Sequence, residues 1–399
     1  MTAWPVVALS DVAVGKGQYG VGLSSRVLSP GDPRYIRITD IKDDGTLAPN
    51  KVGVEGDRAA WQNAMLDDGD LLFARSGATV GKTYLHVGAV EPAVYAGYLI
   101  RFKLKPELAL PNYVFRYTQS PQYHAWVKGS QRAVAQPNIN AQQYGGLPIP
   151  LPPLPEQRRI AAILDHADAL RAKRREALAH LDELTQSIFI DMFGDTRNSV
   201  TTRFADVVNE FRYGTSVKSS SDGVPVLRIP NVVGGKLDLR ELKNVSLGQA
   251  EFERLRLKDG DLLFVRTNGN PENVGRCAEY RPESIEDLGL PGSRCVYASY
   301  LIRVRVDDEL VVPAFLSTFL NGPGRKQMAA NAKTSAGQFN INIQGLGSIE
   351  VPVPDMGRQA EFVQRAKQIE HQKEACESAL AGLDALFASL QSRAFRGEL

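Results

Sequence analysis

Two kinds of hydrophobic spacing alternate along this chain, and each occurs twice. Short runs rich in β-branched and aromatic residues, such as Pro33-Arg34-Tyr35-Ile36-Arg37-Ile38 and Tyr95-Ala96-Gly97-Tyr98-Leu99-Ile100-Arg101-Phe102, predict strands. Residues 112–126 predict a helix that Pro121 ends or kinks. Beyond residue 155 the spacing changes. Ile160, Ile163, Ala167, Leu170, Arg174, Ala177, Leu181, Leu184 and Ile188 follow one another in alternate steps of three and four. Phe362, Ala366, Ile369, Lys373, Cys376, Leu380, Leu383, Phe387 and Leu390 repeat the pattern. No proline interrupts either stretch, so each predicts one continuous helix. The first would extend about 55 Å at 1.5 Å per residue. A heptad seam needs a partner helix, and the economical partner for each is the other. Ordinary amphipathic core helices would show the same periodicity. Arg174 and Lys373 interrupt the seams near mid-length and predict looser, wetter packing there.

The globular segments are duplicated as well. Asp68-Gly69-Asp70-Leu71-Leu72-Phe73-Ala74-Arg75 recurs as Asp259-Gly260-Asp261-Leu262-Leu263-Phe264-Val265-Arg266. The residues from Val94 to Arg101 recur from Val296 to Arg303, and Asn138-Ile139-Asn140 recurs as Asn340-Ile341-Asn342. The offset grows between Arg266 and Val296, so the second copy carries a longer excursion there. The period is far too long for a solenoid, which leaves two duplicated domains. Each copy ends in a strap that alternates proline with apolar residues, Pro148 to Pro155 and Val351 to Asp355. Such a strap suits an extended edge, with Pro155 and Asp355 placed to start the helices. The resulting division is residues 1–147, a strap and helix over 148–193, a second domain over 194–350, and a strap and helix over 351–399. The fold class is α+β, two mixed α/β domains joined by two long helices.

Composition narrows the reading further. The chain has 399 residues, with 47 Lys and Arg against 45 Asp and Glu, so any nucleic-acid footprint must be local. No run reaches the roughly 18 apolar residues of a membrane span, and the first residues lack the pattern of a secretory signal. Three cysteines, Cys277, Cys295 and Cys376, read as reduced thiols. A soluble, cytoplasmic protein is expected.

Most candidate chemistry fails on spacing. Residues 76–83 approach a phosphate-cradling loop, but Ser76 stands where the pattern needs glycine, and the residues from Thr83 to Val87 have the composition of a strand. The second copy keeps neither the lysine nor the hydroxyl. No dinucleotide fingerprint, adenine-methylating motif or metal spacing among the five histidines is present. Asp68, Asp70, Asp259 and Asp261 fit turns better than catalytic pairs. What the copies share is a basic, glycine-rich loop after a buried strand. Glycine lets the backbone approach a surface, and arginine can read guanine edges with two hydrogen bonds. The candidate DNA-binding residues are Tyr19, Arg75, Ser76, Lys82, Lys128, Gln131 and Arg132 in the first copy. In the second they are Tyr213, Lys218, Arg266, Asn268, Asn270, Arg276, Lys333 and Ser335. Exposed loops without a ligand are the alternative for each residue taken singly.

The segment Leu151-Pro152-Pro153-Leu154-Pro155-Glu156-Gln157-Arg158-Arg159-Ile160, closed by the run from Glu183 to Gly194, resembles the central region of the specificity (S) subunit of type I restriction–modification systems. The block from Asp70 to Gly77 and Gln136-Pro137-Asn138-Ile139-Asn140 resemble the target recognition domains of that family. The second strap departs from it, with Asp355-Met356-Gly357-Arg358-Gln359, although Gln157 and Gln359 still correspond. The resemblance implies a subunit with no catalytic residue and no cofactor of its own. Each recognition domain would read half of a split double-stranded DNA target, and the helices would pack as an antiparallel coiled-coil spacer. Two modification (M) subunits would dock through Pro152, Pro155, Gln157, Pro354 and Gln359, bind S-adenosylmethionine and methylate adenine N6. Two restriction (R) subunits, using ATP and Mg, can join for cleavage and phage defence. The competing readings are a protein–protein scaffold, a recognition subunit of another defence complex, and a P-loop NTPase built on residues 76–83.

Overall fold

The computed structural model describes residues 4–88, 92–130, 138–194, 201–286, 294–335 and 337–399. The chain divides into two compact units, residues 1–175 with 378–399, and residues 176–377. The boundary cuts both long helices, so each unit holds one α+β fold together with part of each helix. That division differs from the strap-and-helix partition drawn from the sequence, because each helical segment packs on the domain beside it. Among the described residues no helix is long and apolar enough to cross a membrane.

In the first unit, an antiparallel sheet runs in the order Gln18–Tyr19, Leu99–Phe102, Leu71–Ala74, Thr83–Leu85. A second sheet runs Ser25–Val27, Val52–Val54, Arg34–Ile36, Ala93–Tyr95, its last pair parallel. The strand Leu71–Ala74 explains the uninterrupted apolar run in the sequence. Side chains alternate faces along a strand. Leu71 and Phe73 enter a core shared with the helices, while Leu72 and Ala74 enter a core shared with the second sheet. Both faces are covered, so no polar position is left.

The second unit repeats this with Val208–Tyr213, Leu301–Val306, Leu262–Val265 and Cys277–Glu279 in one sheet. Leu262 and Phe264 face one core, Leu263 and Val265 the other. The Asp-Gly-Asp block ahead of each central strand is a turn. Gly69 and Gly260 take φ of 84° and 79°, where an L side chain is strained. The second aspartate of each block is buried and accepts the turn's own N–H, from Asp67 to Asp70 (2.9 Å) and from Lys258 to Asp261 (2.8 Å). These carboxylates are structural.

Each strap forms a two-stranded edge, as its prolines require, Pro148–Pro150 against Val6–Ala8 and Glu350–Pro352 against Thr201–Arg203. The first long helix is Leu154–Phe193 and the second Met356–Ala394. Asp355 caps the second, its Oδ1 accepting from Arg358 N at 3.0 Å. In the first unit, Ile160, Leu164 and Ala167 share a core with Phe387, Ala394 and Phe395. In the second, Phe189 packs edge-on to Phe362 at 5.4 Å. The start of each helix thus meets the end of the other, an antiparallel arrangement.

Of the two mid-length charges, Lys373 makes a cross-helix ion pair; in the first helix the pair is made by Arg171, three residues before the exposed Arg174. Arg171 binds Asp384 at 2.6 Å in the first unit, and Lys373 binds Asp182 at 2.6 Å in the second. Two residues expected on the seam lie off it, Leu170 at 40% and Leu184 at 43% exposure. A straight helix drifts by about 20° per heptad against a 3.5-residue repeat, which brings their neighbours Arg171 and Thr185 inward instead.

Candidate nucleic-acid interface

Each unit holds one arginine by four independent contacts, and the residues responsible are those of the repeated blocks. Arg75 follows the central strand Leu71–Ala74. Its N–H donates to Tyr98 O (3.0 Å) and its carbonyl accepts from Ile139 N (2.9 Å). The guanidinium lies over the Tyr19 ring, 4.8 Å from the centroid, and Nε donates to Asn138 Oδ1 at 3.4 Å. Arg266 is held alike. Its N–H donates to Tyr300 O (2.9 Å), its carbonyl accepts from Ile341 N (2.9 Å), and its guanidinium lies 4.7 Å above Tyr213. Arg266 Nη1 also donates to Ser299 O at 3.4 Å. Stacking on an aromatic face fixes an arginine that would otherwise sample many rotamers.

The Asn-Ile-Asn block anchors the loop from below. Ile139 and Ile341 are buried anchors, and Asn140 and Asn342 cap the short helices Ala141–Gly145 and Ile343–Gly347. Those helix starts also hold the tyrosines, with Ala141 N donating to Tyr19 Oη (3.1 Å) and Ile343 N to Tyr213 Oη (3.3 Å). The glycine after each tyrosine is obligatory. A Cβ on Gly20 would stand 2.3 Å from Tyr95 O, and one on Gly214 2.2 Å from Tyr297 O.

The structure brings several other candidates of the second unit to the same place. Thr267–Asn268, Gln338–Asn340 and Lys333–Ser335 form a three-stranded sheet beginning one residue beyond Arg266. Lys218 lines a cleft of about 470 Å³ with Arg228, Arg266, Ser299 and Tyr300. Arg228, Ser299 and Tyr300 were not singled out from sequence. Tyr98 and Tyr300 were visible only as members of a repeated block, where exposure could not be read.

Other candidates serve the loops themselves. Lys82 pairs with Asp43 at 2.9 Å and donates to Ile41 O. Ser76 O accepts from Thr79 Oγ1, Asn268 Oδ1 from Asn270 N, and Asn270 Oδ1 from Glu272 N (3.0 Å), while Arg276 Nε donates to Glu272 O (3.0 Å). Lys128 is exposed near the end of the helix Pro121–Ser130. Gln131 and Arg132 lie outside the described residues. The loop of residues 76–83 leads into the strand Thr83–Leu85, not a helix, so it lacks the helix N-terminus on which a phosphate loop depends.

The expected partner contacts at Gln157 and Gln359 need correction. Both side chains are fully buried. Gln157 Oε1 accepts from Leu110 N (2.9 Å), and Nε2 donates to Leu108 O (2.9 Å) and Pro152 O (2.8 Å). Gln359 does the same with Val312 N (2.8 Å), Leu310 O (3.0 Å) and Pro354 O (2.7 Å). Each glutamine staples a long helix to its own domain and strap. Pro152 is buried and Pro354 half-buried for the same reason, which leaves Pro155 as the exposed member of that set.

Burial pushes the Cys277 thiol up to about 12 and Cys295 to about 11, far from a reactive thiolate. Among the described residues no group of His, Cys, Asp and Glu could hold a metal ion.

Residues 1–180 match the family described as type I restriction modification DNA specificity domain. The EcoKI specificity subunit of Escherichia coli K12 is 29% identical over 323 residues, covering 74% of this chain and 67% of its own. The StySPI specificity subunit of Salmonella potsdam is 26% identical, again covering 74% and 67%. In fold, the chain is similar to the S subunit of a type I system from M. genitalium. That match has a TM-score of 0.55 and 13% identity over 98% of this chain and 96% of that one. A further structure, of a type I restriction–modification system studied for its assembly and conformational transition, gives a TM-score of 0.57 at 18% identity over 100% and 99%. What the two copies of the fold share at this place is an arginine anchored over a tyrosine. By these matches the chain is similar to the specificity subunits of type I restriction–modification systems.

Proposed function

We propose that this chain reads a split double-stranded DNA target, one half with each unit, and directs partner subunits to it. The observation that carries this reading is the arginine held over a tyrosine at the same place in both units. A guanidinium fixed in this way has little further freedom to lose on binding, and its fork matches O6 and N7 of guanine or a phosphate. The long helices act as the spacer between half-sites. Two M subunits, carrying S-adenosylmethionine, dock along the helices and the exposed strap near Pro155 and methylate adenine N6. Two R subunits supply ATP- and Mg-dependent cleavage.

The test is genome-wide mapping of N6-methyladenine in a methylation-free host that expresses the M subunit encoded with this chain, with and without the chain itself. A split motif that depends on the chain is expected. Methylation indifferent to the chain would overturn the reading.

A further inference from the structure

Among the described residues, the exposed large hydrophobic side chains include four aromatic ones, Tyr19, Tyr98, Tyr213 and Tyr300. All four surround the two anchored arginines. Tyr19 and Tyr213 have a structural task, since the guanidinium covers one ring face and the hydroxyl accepts a backbone N–H. Tyr98 and Tyr300 have none of these contacts. The two residues are 62% and 59% exposed, yet both sit on tightly held turns. The carbonyl of each accepts the arginine N–H described above. Leu99 N donates to Ala96 O and Leu301 N to Ala298 O, both at 2.9 Å, closing the turn. Gly97 N donates to Val21 O and Ser299 N to Thr215 O, both at 2.8 Å, tying it to the neighbouring strand. A flat apolar ring is thus displayed on a fixed backbone next to a cation, at equivalent positions in both copies. In the second unit the ring lines the cleft that also holds Lys218 and Arg228.

We propose that Tyr98 and Tyr300 are specificity-determining residues, each laying its ring on base edges beside the position read by its arginine. The proposal rests on the DNA reading above. The chemistry follows from the side chain. A tyrosine ring carries no charge, so it displaces no counterion and adds nothing to the salt dependence of binding. Its apolar face favours a thymine methyl or a base face over a phosphate, and a two-torsion side chain on a fixed turn is ordered at low entropic cost. The arginine would supply the charge, and the tyrosine the discrimination at the adjoining base pair.

The experiment uses the full chain assembled with its M subunit and a duplex library randomised across both half-sites. Wild type, Tyr98→Ala, Tyr300→Ala and Tyr300→Phe are compared for selected sequence and for the slope of log K against log salt. Tyr300→Ala should relax one or two base pairs of a single half-site, with discrimination there falling roughly 5- to 150-fold, the size of one base contact. The salt slope and the other half-site should be unchanged. Tyr98→Ala should do the same to the opposite half-site, and Tyr300→Phe should keep the wild-type motif. An unaltered motif in both alanine variants, or uniform weakening on every sequence, would overturn the role of the tyrosines while leaving the DNA reading intact. A wild-type assembly that selects no motif would overturn both.

Discussion

The two units hold their arginines alike but fasten the surrounding fold to the long helices with different chemistry. In the first unit an ionic clasp is added to an apolar core that includes Tyr113 and Tyr117 against Phe395. Arg116 Nε binds Asp165 at 2.7 Å and Nη1 binds Asp168 at 2.9 Å, while Asn112 Nδ2 donates to Asp165 at 2.6 Å. In the second unit Ala314 and Thr318 stand at the equivalent places, and the helix is held by rings. Phe189 lies 5.8 Å from Phe315 and 5.4 Å from Phe319, with Phe362 edge-on to Phe315. Buried aromatic contacts are indifferent to salt, whereas partly exposed ion pairs weaken with it. A duplicated fold can therefore keep its reading head and drift in its mounting.

The sharpest break of that comparison is Phe315→Ala. Phe315 is fully buried. Its truncation should cost about 3–5 kcal/mol, read from urea unfolding of the second unit's transition. A loss near 1 kcal/mol would mean that the aromatic cluster is not what mounts this unit. Next in size are the glutamine staples, where the units agree. Gln157→Leu and Gln359→Leu each leave one N–H and two carbonyls without their partner, at a cost of about 2–4 kcal/mol. The two losses should match. A clear inequality in the unfolding midpoints would show that the divergent second strap grips less well.

How far the sequence foretold this architecture depends on whether a feature was periodic or tertiary. The central strands, the long helices and the duplication were legible, because a period of two or of about 3.5 survives in one dimension. The anchored arginines were legible as repeated letters after a buried strand. The burial of Gln157 was not, because a glutamine beside prolines on a helix start looks like a surface residue until its three backbone partners are placed around it. Leu170 and Leu184 satisfied the heptad count and still fell off the seam, since the count assumes a helix wound more tightly than a straight one. Tyr98 and Tyr300 lie in strand-like runs where burial is the ordinary expectation, so their exposure could be seen only in three dimensions.

A smaller effect separates the mountings directly. Arg116 has a largely buried side chain, at 12% exposure, and contacts two carboxylates, whereas Lys236 reaches Glu370 and Glu374 from a half-exposed position. Arg116→Ala should cost about 1–2 kcal/mol at low ionic strength and less at 1 M salt, and Lys236→Ala about 0.5 kcal/mol or below. Thermal melts at two salt concentrations measure both. A cost for Arg116→Ala that is unchanged by salt would assign it to lost packing of the arginine stem instead.

The smallest predicted effect concerns charge at the interface itself. Arg37 and Arg228 are equivalent, and each donates its backbone N–H to the side chain three residues on, Asp40 or Asn231, at 2.9 Å. In the first unit Asp40 also takes the guanidinium, with Nε at 3.1 Å and Nη2 at 2.8 Å, and so cancels its charge. In the second, Asn231 is neutral, and among the described residues no carboxylate pairs with Arg228, which lines the cleft with Lys218 and Arg266. The second unit therefore offers one more uncompensated cation to a phosphate backbone. Asn231→Asp should reproduce the first unit's neutralised pair, lowering the slope of log K against log salt by about 1 with the recognised sequence unchanged. Asp40→Asn should raise it by a similar amount, because the asparagine keeps the backbone cap while releasing Arg37. If neither substitution moves the slope in the assembled complex, these arginines do not meet phosphate, and the charge difference between the two units belongs to folding, not to DNA.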